Sequence, residues 1–560
     1  MKKKILLLIC LATVATLSFA QEMTQNWNSQ LGQPRAIKDA YSKDLVHIDA
    51  NGNTYVCGGF SQDFTIGNND LMPIGNSAYL AKIDNTGAVQ WAVALQGNVT
   101  PAYMTTDSEG NLYLTGGSDG VEVILQSSDG TTKRLEGNDH FLWSEDANTV
   151  LAKYNTNGIL QEGKIFLHDN SSYSNKVLPI GLIVNNENIY LALNIVGETT
   201  IDGQIFSGTT ANTGGVEENL ISISAAHVLS FNSTTLTLQK QIASIIPENA
   251  TDDWSISSFT MTSNDDNLYI AFLAPAKQKV TAGTSTYTTD FAYSFNEVDE
   301  WYEYHRGIGF FNINKDGNID LWKTLQSTAV FRSWAFGYET INYSFVNNNS
   351  WIIAGAYNGK FIFDENAPET GAYASAPFFA LLDKSTANVQ KSGYWGAENK
   401  LNSAAVGDAL LVSLYNSTDK TSTLNVYDFG TQNVTNIETT EAGTSINGIA
   451  STDTKVATCK ATAGAEAADL AISMNTLSGI SAGISESSTK AVEIKAYPNP
   501  VKDILNFSET CEVTIVNGQG SEVKTVTAAT QISVADLAAG YYVAKIKTAD
   551  GTTVIPFIKK

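Results

Sequence analysis

The stretch His47–Phe60, HIDANGNTYVCGGF, returns in altered letters as TTDSEGNLYLTGGS over Thr105–Ser118. Each copy runs through an apolar segment, an acidic residue, adjacent Gly and Asn, a second apolar segment and paired glycines. A sentence written twice marks a repeat, and a repeat decides the fold before any single motif does. The unit around the first copy reads LVHID, turn ANGN, TYVCGGFSQDFTIG, a loop, AYLAKI, turn DNTG and VQWAVAL. That is four strands and two tight turns. Asn51-Gly52 and Thr86-Gly87 stand where a hairpin turn needs positive φ, which accounts for these glycines without a ligand.

The same grammar returns as MTTDSEGNLYLTGG with VLAKYNTNGILQEGKIFL, GLIVNNENIYLAL with HVLSFNSTTLTLQKQIAS, FTMTSNDDNLYIAFLA with GIGFFNINKDGNIDLWKTL, and YSFVNNNSWIIAGAY with FFALLDKSTANVQKSGYWG. SAAVGDALLVSLY with TLNVYDFGTQNVTNI is a sixth, more compact copy. A seventh, INGIASTDTKVATCKA and LAISMNT, stops one strand short. The missing strand stands at the other end of the chain, where QNWNSQLG (Gln25–Gly32) resembles VQWAVALQG with Trp27 in the part of Trp91. Strand spacing alone also allows a β-solenoid or two stacked sandwiches. The short strand at the start and its absence at the end favour a closed ring. The expectation is an all-β chain whose residues 21–477 form a β-propeller of about seven blades, closed by the N-terminal strand near Trp27. The units resemble the β-propeller repeats of secreted bacterial proteins.

Composition agrees with an exported all-β protein. Charged residues are 16% and aromatics 10% of the 560 residues. Lys2, Lys3 and Lys4 precede ILLLICLATVATL and the small-residue pattern Ser18-Phe19-Ala20, so residues 1–20 read as a secretory signal, with Cys10 inside its apolar run rather than a lipid anchor. Without the three signal lysines, 31 basic face 57 acidic side chains, a net charge of −26. Such a surface repels phosphate backbones and excludes nucleic acid as a partner. No later stretch is long and apolar enough for a transmembrane helix. Cys57, Cys459 and Cys511 remain, an odd number without paired spacing; one disulfide is open, and buried free thiols in strands are the preferred reading.

Residues 478–495, rich in Ser, Gly and Ala, read as a linker. Residues 496–560 then read as short alternating strands with turns at Asn517-Gly518 and Asp550-Gly551, a small Ig-like β-sandwich. This tail carries Tyr497-Pro498-Asn499-Pro500, VKDILNF, the VTIVNGQGSEV hairpin with Gly518, ISVADLAAGYYVAKI with Gly540 and Tyr541, and the basic end Lys559-Lys560. It resembles the type A C-terminal sorting domain of the type IX (Por) secretion system of the Bacteroidetes. The resemblance implies passage of folded cargo through an outer-membrane translocon. It also implies removal of the tail by a sorting peptidase, leaving the cargo released or held on surface lipopolysaccharide.

Motifs for chemistry are few. Gly479-Ile480-Ser481-Ala482-Gly483 satisfies G-x-S-x-G, but no strand precedes it and no histidine follows Ser481, the last being His305. Gly158 to Lys164 mimics a phosphate loop, yet Ile165 stands where the Ser or Thr belongs and a strand follows. NKDGNID places its glycine too early, and Leu325 replaces the bidentate Glu of a calcium loop, so it reads as a polar turn. Neither H-E-x-x-H nor C-x-x-C occurs, and the Trp-bearing turns depart in spacing from sialidase Asp boxes. No cofactor or metal is expected.

In each long unit the irregular insertion falls between the second and third strands: RLEGNDHFLWSEDANT, TTANTGGVEENLIS, YTTDFAYSFNEVDEWYEYHR and DENAPETGAYASAP. Strand alternation sends these insertions to one face and the Gly-rich turns to the other, and function concentrates in such loops. The candidate ligand-binding residues are His140, Trp143, Glu145, Trp301, Tyr302, Tyr304 and His305, beside Phe141, Tyr293 and the carboxylates Asp139, Asp299 and Glu300. Flat rings beside carboxylates suit a sugar or a peptide, and the competing reading is loop packing. Two functions fit: a non-catalytic binding propeller at the cell surface, and a glycan hydrolase or lyase using carboxylates of the insertion face as acid and base. The scarcity of catalytic strings favours binding. Deleting residues 496–560 is expected to strand the chain in the periplasm. Cell fractionation checks this, and normal surface display of the truncated chain contradicts it.

Overall fold

Second and third strands of a blade are covered by neighbouring blades on both faces, so they read as continuous apolar runs rather than as alternating ones. Ser77–Ile83 and Asn148–Tyr154 are buried at every residue. The outer strand Val389–Tyr394, by contrast, is exposed or half-buried throughout. Among the described residues every regular element is a strand. The computed structural model describes residues 21–36, 42–138, 147–169, 175–185, 188–212, 220–248, 258–264, 267–274, 277–289, 291, 293–296, 301–304, 307–326, 331–332, 340–347, 350–357, 362–363, 376–395, 399–407, 409–429, 434–464, 467–479, 496–517, 522–548 and 551–560.

Among the described residues the pairings resolve into seven four-stranded antiparallel blades, with added hairpin strands on blades 1 and 3 and a single bridge joining blades 6 and 7. Blade 1 is Leu45–Ile48, Thr54–Phe60, Ser77–Ile83 and Val89–Gln96. Blade 2 is Val99–Thr106, Leu112–Ser118, Asn148–Tyr154 and Leu160–Phe166. Blade 3 is Lys176–Asn185, Asn188–Val196, Ala225–Asn232 and Leu238–Pro247. Blade 4 is Ser258–Ser263, Asn267–Ala274, Gly307–Asn314 and Ile319–Gln326. Blade 5 is Thr340–Val346, Ser350–Tyr357, Ala376–Asp383 and Val389–Tyr394. Blade 6 is Asn399–Val406, Ala409–Asn416, Thr421–Asp428 and Val434–Thr439. Blade 7 takes Thr444–Ser451, Lys455–Ala463 and Ala467–Ser478 from one end of the unit and Glu22–Ala36 from the other. Each first strand touches the first strands of both neighbours, and Leu45–Ile48 meets Thr444–Ser451, so the ring closes. The closing strand pairs from Glu22 opposite Ser478 to Ala36 opposite Ala467, with Trp27 opposite Met474.

A buried ion pair sits at the seam. Arg35, at the end of the closing strand, places Nη2 2.5 Å from each carboxylate oxygen of Asp44, just before blade 1. The Tyr79 hydroxyl of blade 1 donates to Asp44 Oδ1 at 2.9 Å, and Asn447 Nδ2 of blade 7 to Oδ2 at 3.4 Å. The side chains are 3% and 0% exposed. Burial alone pulls the guanidinium's pKa down, but the Asp44 charge outweighs it and holds Arg35 protonated above its ordinary range. Room for the carboxylate comes from Gly58, where a Cβ would stand 1.9 Å from Asp44 Oδ1.

Blades interlock on the turn-bearing face through one repeated device. Asp49 Oδ1 accepts the backbone N–H groups of Asn51 and Asn53 at 2.9 Å each, fixing the first turn of blade 1. The Tyr55 hydroxyl donates to Asp49 Oδ2, Lys82 lies over the Tyr55 ring at 5.5 Å, and Lys82 Nζ reaches the Thr156 carbonyl of blade 2 at 3.0 Å. Trp91 Nε1 donates to the same carbonyl at 3.1 Å. Its ring packs on Gly158, where a Cβ would approach to 2.5 Å. Trp27 meets Gly87 of blade 1 in the same manner, at 3.1 Å, so the two tryptophans play one part.

The insertions differ from free loops. Hairpin Glu122–Gln126/Thr132–Glu136 of blade 2 pairs with the outer strand of blade 1, and Gln278–Ala282/Ser285–Thr288 of blade 4 with that of blade 3. Phe64–Ile66/Asn69–Leu71 of blade 1 packs on the closing strand, and Glu198–Ile201/Gln204–Ser207 of blade 3 lies against blade 2. Each hairpin therefore covers the open edge of the preceding blade, where unpaired backbone groups would otherwise invite association. Cys57, Cys459 and Cys511 are buried and form no disulfide among the described residues, and burial followed by the Asp44 charge pushes the first two thiols up.

The chain divides into two compact units, Met1–Gly483 and Ile484–Lys560. In the second, the long strand Ile504–Asn517 pairs with Ala496–Tyr497, Glu522–Ser533 and Gly540–Thr548, and Gly551–Lys559 completes the fold. Register shifts interrupt the long strand near Cys511, and Leu505, Phe507, Val513, Ile515, Ile546 and Phe557 share one buried core.

Arg35→Ala leaves the Asp44 charge buried and uncompensated, and a loss of about 3–5 kcal/mol is expected in a urea unfolding titration. A cost within that of an ordinary surface substitution would show that the pair does not hold the seam. His47 Nε2 meets Thr106 Oγ1 of blade 2 at 2.8 Å. Although partly exposed, it is enclosed by protein, and burial, opposed by Asp49, lowers its pKa from 6.5 to about 4. The unfolded chain binds the proton first, so this contribution is intact above pH 6.5 and is lost as pH falls toward 4, by up to about 3 kcal/mol. Burial lowers the His227 pKa as well, adding the same sign. Unfolding curves of the His47→Gln variant should therefore weaken less between pH 6.5 and 4 than those of the parent.

Candidate functional site

Of the residues singled out on the insertion face, His140, Trp143, Glu145 and His305 lie outside the described residues, as do Phe141, Asp139, Asp299 and Glu300. Trp301, Tyr302 and Tyr304 form the strand Trp301–Tyr304 within the blade 4 insertion. This strand is the centre of a separate three-stranded sheet, flanked by Tyr293–Asn296 and Phe331–Arg332. Directly opposed residues of an antiparallel pair share a face. Tyr293 opposes Tyr304, Phe295 opposes Tyr302 and Phe331 opposes Tyr304. The register thus puts Tyr293, Phe295, Tyr302, Tyr304 and Phe331 on one face, and Ser294, Asn296, Trp301, Glu303 and Arg332 on the other.

The sequence grouped Trp301 with Tyr302 and Tyr304; the two-residue period of a strand separates them and recruits Phe295 and Phe331 instead. Alternation within WYEY and YSFN was the signal available for the first step, and no local signal named Phe331. The insert is anchored by Phe291, buried against Gly307 of the third strand, where a Cβ would approach the ring to 2.0 Å.

Blades 6 and 7 carry short connections between their second and third strands, Asn416 to Thr421 and Ala463 to Ala467. A cavity of about 120 Å³ is lined by Lys43, Leu401, Asn402, Tyr415, Ser445, Ile446 and Asn447. Lys43 reaches across from blade 1 to lie 5.0 Å over the Tyr343 ring of blade 5. The Tyr343 hydroxyl donates to Asn402 Oδ1 at 3.0 Å, and Asn402 Nδ2 to the Ile446 carbonyl at 2.9 Å, tying blades 5, 6 and 7 together. The polar groups here are largely spent on the ring itself.

Other titratable groups are likewise committed. Asp107 holds its own turn and accepts the Tyr113 hydroxyl at 3.0 Å. His168 Nδ1 contacts the Asp169 carbonyl at 2.8 Å and His227 Nε2 the Ser207 carbonyl at 3.0 Å. The segment NKDGNID closes as a turn in which Asn314 Oδ1 accepts the N–H groups of Asp316 and Asn318 at 3.0 Å. Among the described residues no three His, Cys, Asp or Glu side chains converge as metal ligands. No helix there is long and apolar enough to cross a membrane.

In the tail, the Tyr497–Pro498 and Asn499–Pro500 bonds are cis. Asn499 Oδ1 accepts the Ile558 N–H at 3.0 Å, Val501 N–H donates to the Ile558 carbonyl at 2.8 Å, and Lys560 N–H donates to the Val501 carbonyl at 2.9 Å. Tyr541 opposes Ile558 across the Gly540–Thr548 and Gly551–Lys559 pair. Motif elements at opposite ends of the tail thus meet, with Tyr497, Tyr541 and Ile558 exposed together. Gly518 lies outside the described residues.

Comparison with known proteins supports the tail's assignment. Residues 495–560 match the family described as secretion system C-terminal sorting domain. No curated protein sequence matches the chain. Among solved structures, the chain is similar to the Dos1 propeller, at 8% identity and TM-score 0.37, over 81% of this chain and 95% of that one. It is also similar to the Trypanosoma rangeli sialidase, at 8% and 0.35, over 94% and 89%, and to the Bombyx mori GH32 beta-fructofuranosidase, at 10% and 0.27, over 84% and 89%. The chain is a β-propeller protein with a type IX sorting domain, handled by that secretion system and delivered to the cell surface or extracellular space.

Proposed function

We propose that the exported propeller is a non-catalytic binding module that contacts a saccharide through the small sheet of the blade 4 insertion. The observation that carries this reading is the register, which collects Tyr293, Phe295, Tyr302, Tyr304 and Phe331 at positions on one face. Aromatic rings give large, rigid contact area at small entropic cost, and the apolar faces of sugar rings are suited to them. The commitment of Asp44, Asp49, Asp107, His47, His168 and His227 to seams and turns also supports binding over acid–base catalysis. A ring closed by its own terminus is a rigid platform for such an insertion, and the sorting tail delivers it where extracellular glycans are met. Cleavage of the tail by a sorting peptidase, with release or attachment to lipopolysaccharide, belongs to the same reading.

The test is a glycan array with the full chain and two variants. Tyr302→Ala combined with Tyr304→Ala is expected to weaken saccharide binding by at least about tenfold, while Trp301→Ala, on the other face, leaves it nearly unchanged. Capture of a peptide instead of a glycan, or turnover of a bound polysaccharide, would replace the saccharide-binding reading.

A further inference from the structure

The seams between blades are not filled alike. At the seams of blades 7 and 1 and of blades 1 and 2, Trp27 and Trp91 fill the space over Gly87 and Gly158 of the following blade. Blade 3 has the same strands in the same register: Tyr190 opposes Ser230, which opposes Lys240, as Tyr55 opposes Lys82, which opposes Trp91. Lys240 therefore stands in the place of the tryptophan and Ser230 in the place of the lysine. The following blade still supplies its turn glycine, Gly317, at φ 85°, yet a Cβ there would meet nothing within 4 Å. The outer side of that turn is held by Thr284, whose N–H donates to Asn318 Oδ1 at 3.2 Å, so the turn is fixed without being covered.

The result is a cavity of about 240 Å³ on the turn-bearing face, opposite the insertion sheet. This is about eight times the share of a liquid water and just below the range of small-molecule sites. Lys240 and Lys315 line it, with no partner for either among the described residues. Asn185, Asn188 and Asn267 supply amides, and Tyr190, Ile242, Leu268 and Ile313 the apolar wall. Asp316, between Lys315 and Gly317 on the same turn, and Asp320, in the strand that follows, are not among the lining residues, and Asp320 accepts from Asn314 Nδ2 at 2.8 Å.

We infer that the groove between blades 3 and 4 binds an acidic saccharide unit, its carboxylate drawn to Lys240 and Lys315 and its hydroxyls to the three asparagines. Two cationic ammonium groups in a chain with 57 acidic residues select an anion. The amides select a polyol, and Tyr190 with the aliphatic wall selects an apolar ring face. A uronic acid satisfies all three; inorganic phosphate uses only the lysines. This site goes beyond the insertion-face reading and stands or falls apart from it.

Calorimetric titration of the full chain with methyl glucuronide, methyl glucoside and inorganic phosphate tests the assignment. Glucuronide should bind at least about tenfold more tightly than glucoside, and Lys240→Ala with Lys315→Ala should remove that preference. Lys240→Trp should abolish binding while keeping the thermal midpoint at or above that of the parent, which separates a filled groove from a damaged fold. Tyr302→Ala with Tyr304→Ala should leave glucuronide affinity unchanged. Equal binding to parent and Lys240→Trp, equal affinity for glucoside, binding of phosphate alone, or no binding of glucuronide would each overturn the inference.

Discussion

The Arg35–Asp44 pair is the constraint on which the ring depends. Here the closing strand of blade 7 runs on through residues 37–44 into blade 1, so closure rests on how Glu22–Ala36 is held against Ala467–Ser478. Hydrogen bonds along Glu22–Ala36 supply register, but a strand can slip by two residues and keep its pattern of faces. A buried guanidinium cannot slip, because moving it away from Asp44 strands both charges without water. Asp44 is also reached by Tyr79 of blade 1 and Asn447 of blade 7, so a single carboxylate fixes the closing strand, the first blade and the last. Stability and specificity of closure are here the same interaction.

Much of this architecture was legible because it is periodic. The seven units, the shortfall in the last and the match of Trp27 to Trp91 all follow from comparing the chain with itself, and the seam contacts of Trp27 with Gly87 and Trp91 with Gly158 give that comparison a physical meaning. The ion pair was not legible. Arg35 and Asp44 occupy positions with no counterpart in the other blades, and a feature that occurs once leaves no trace in a repeat. The edge-covering hairpins were missed for a different reason: Glu122–Gln126 and Thr132–Glu136 alternate like any hairpin, but nothing local says that their partner is the outer strand of the blade before.

The candidate sites show the same division. WYEY was recognised as aromatic, but its separation into two faces required a partner strand, and Phe331 joined only through pairing across the third strand. The groove between blades 3 and 4 was not read from the sequence: the paired strands are what put Lys240 in the place of Trp91, and even then the substitution says only that a plug is missing. Whether the space collapses or stays open is decided by packing, and Gly317 with its empty surroundings answers that.

An underfilled seam is tolerable only if something else carries the load, and the hairpins supply it unevenly. Where Trp91 fills the seam of blades 1 and 2, the crossing hairpin pairs with the outer strand at two positions, Ile124 with Gln96 and Leu125 with Leu95. Where the plug is absent, the hairpin of blade 4 pairs with blade 3 at five, from Ala243 opposite Ala282 to Pro247 opposite Gln278. Backbone pairing at the rim thus takes over from side-chain packing nearer the turn, so blades 3 and 4 stay in register around an open groove. A cavity held from outside in this way keeps its shape without a ligand, whereas an unsupported gap between two blades would close and bury its apolar wall.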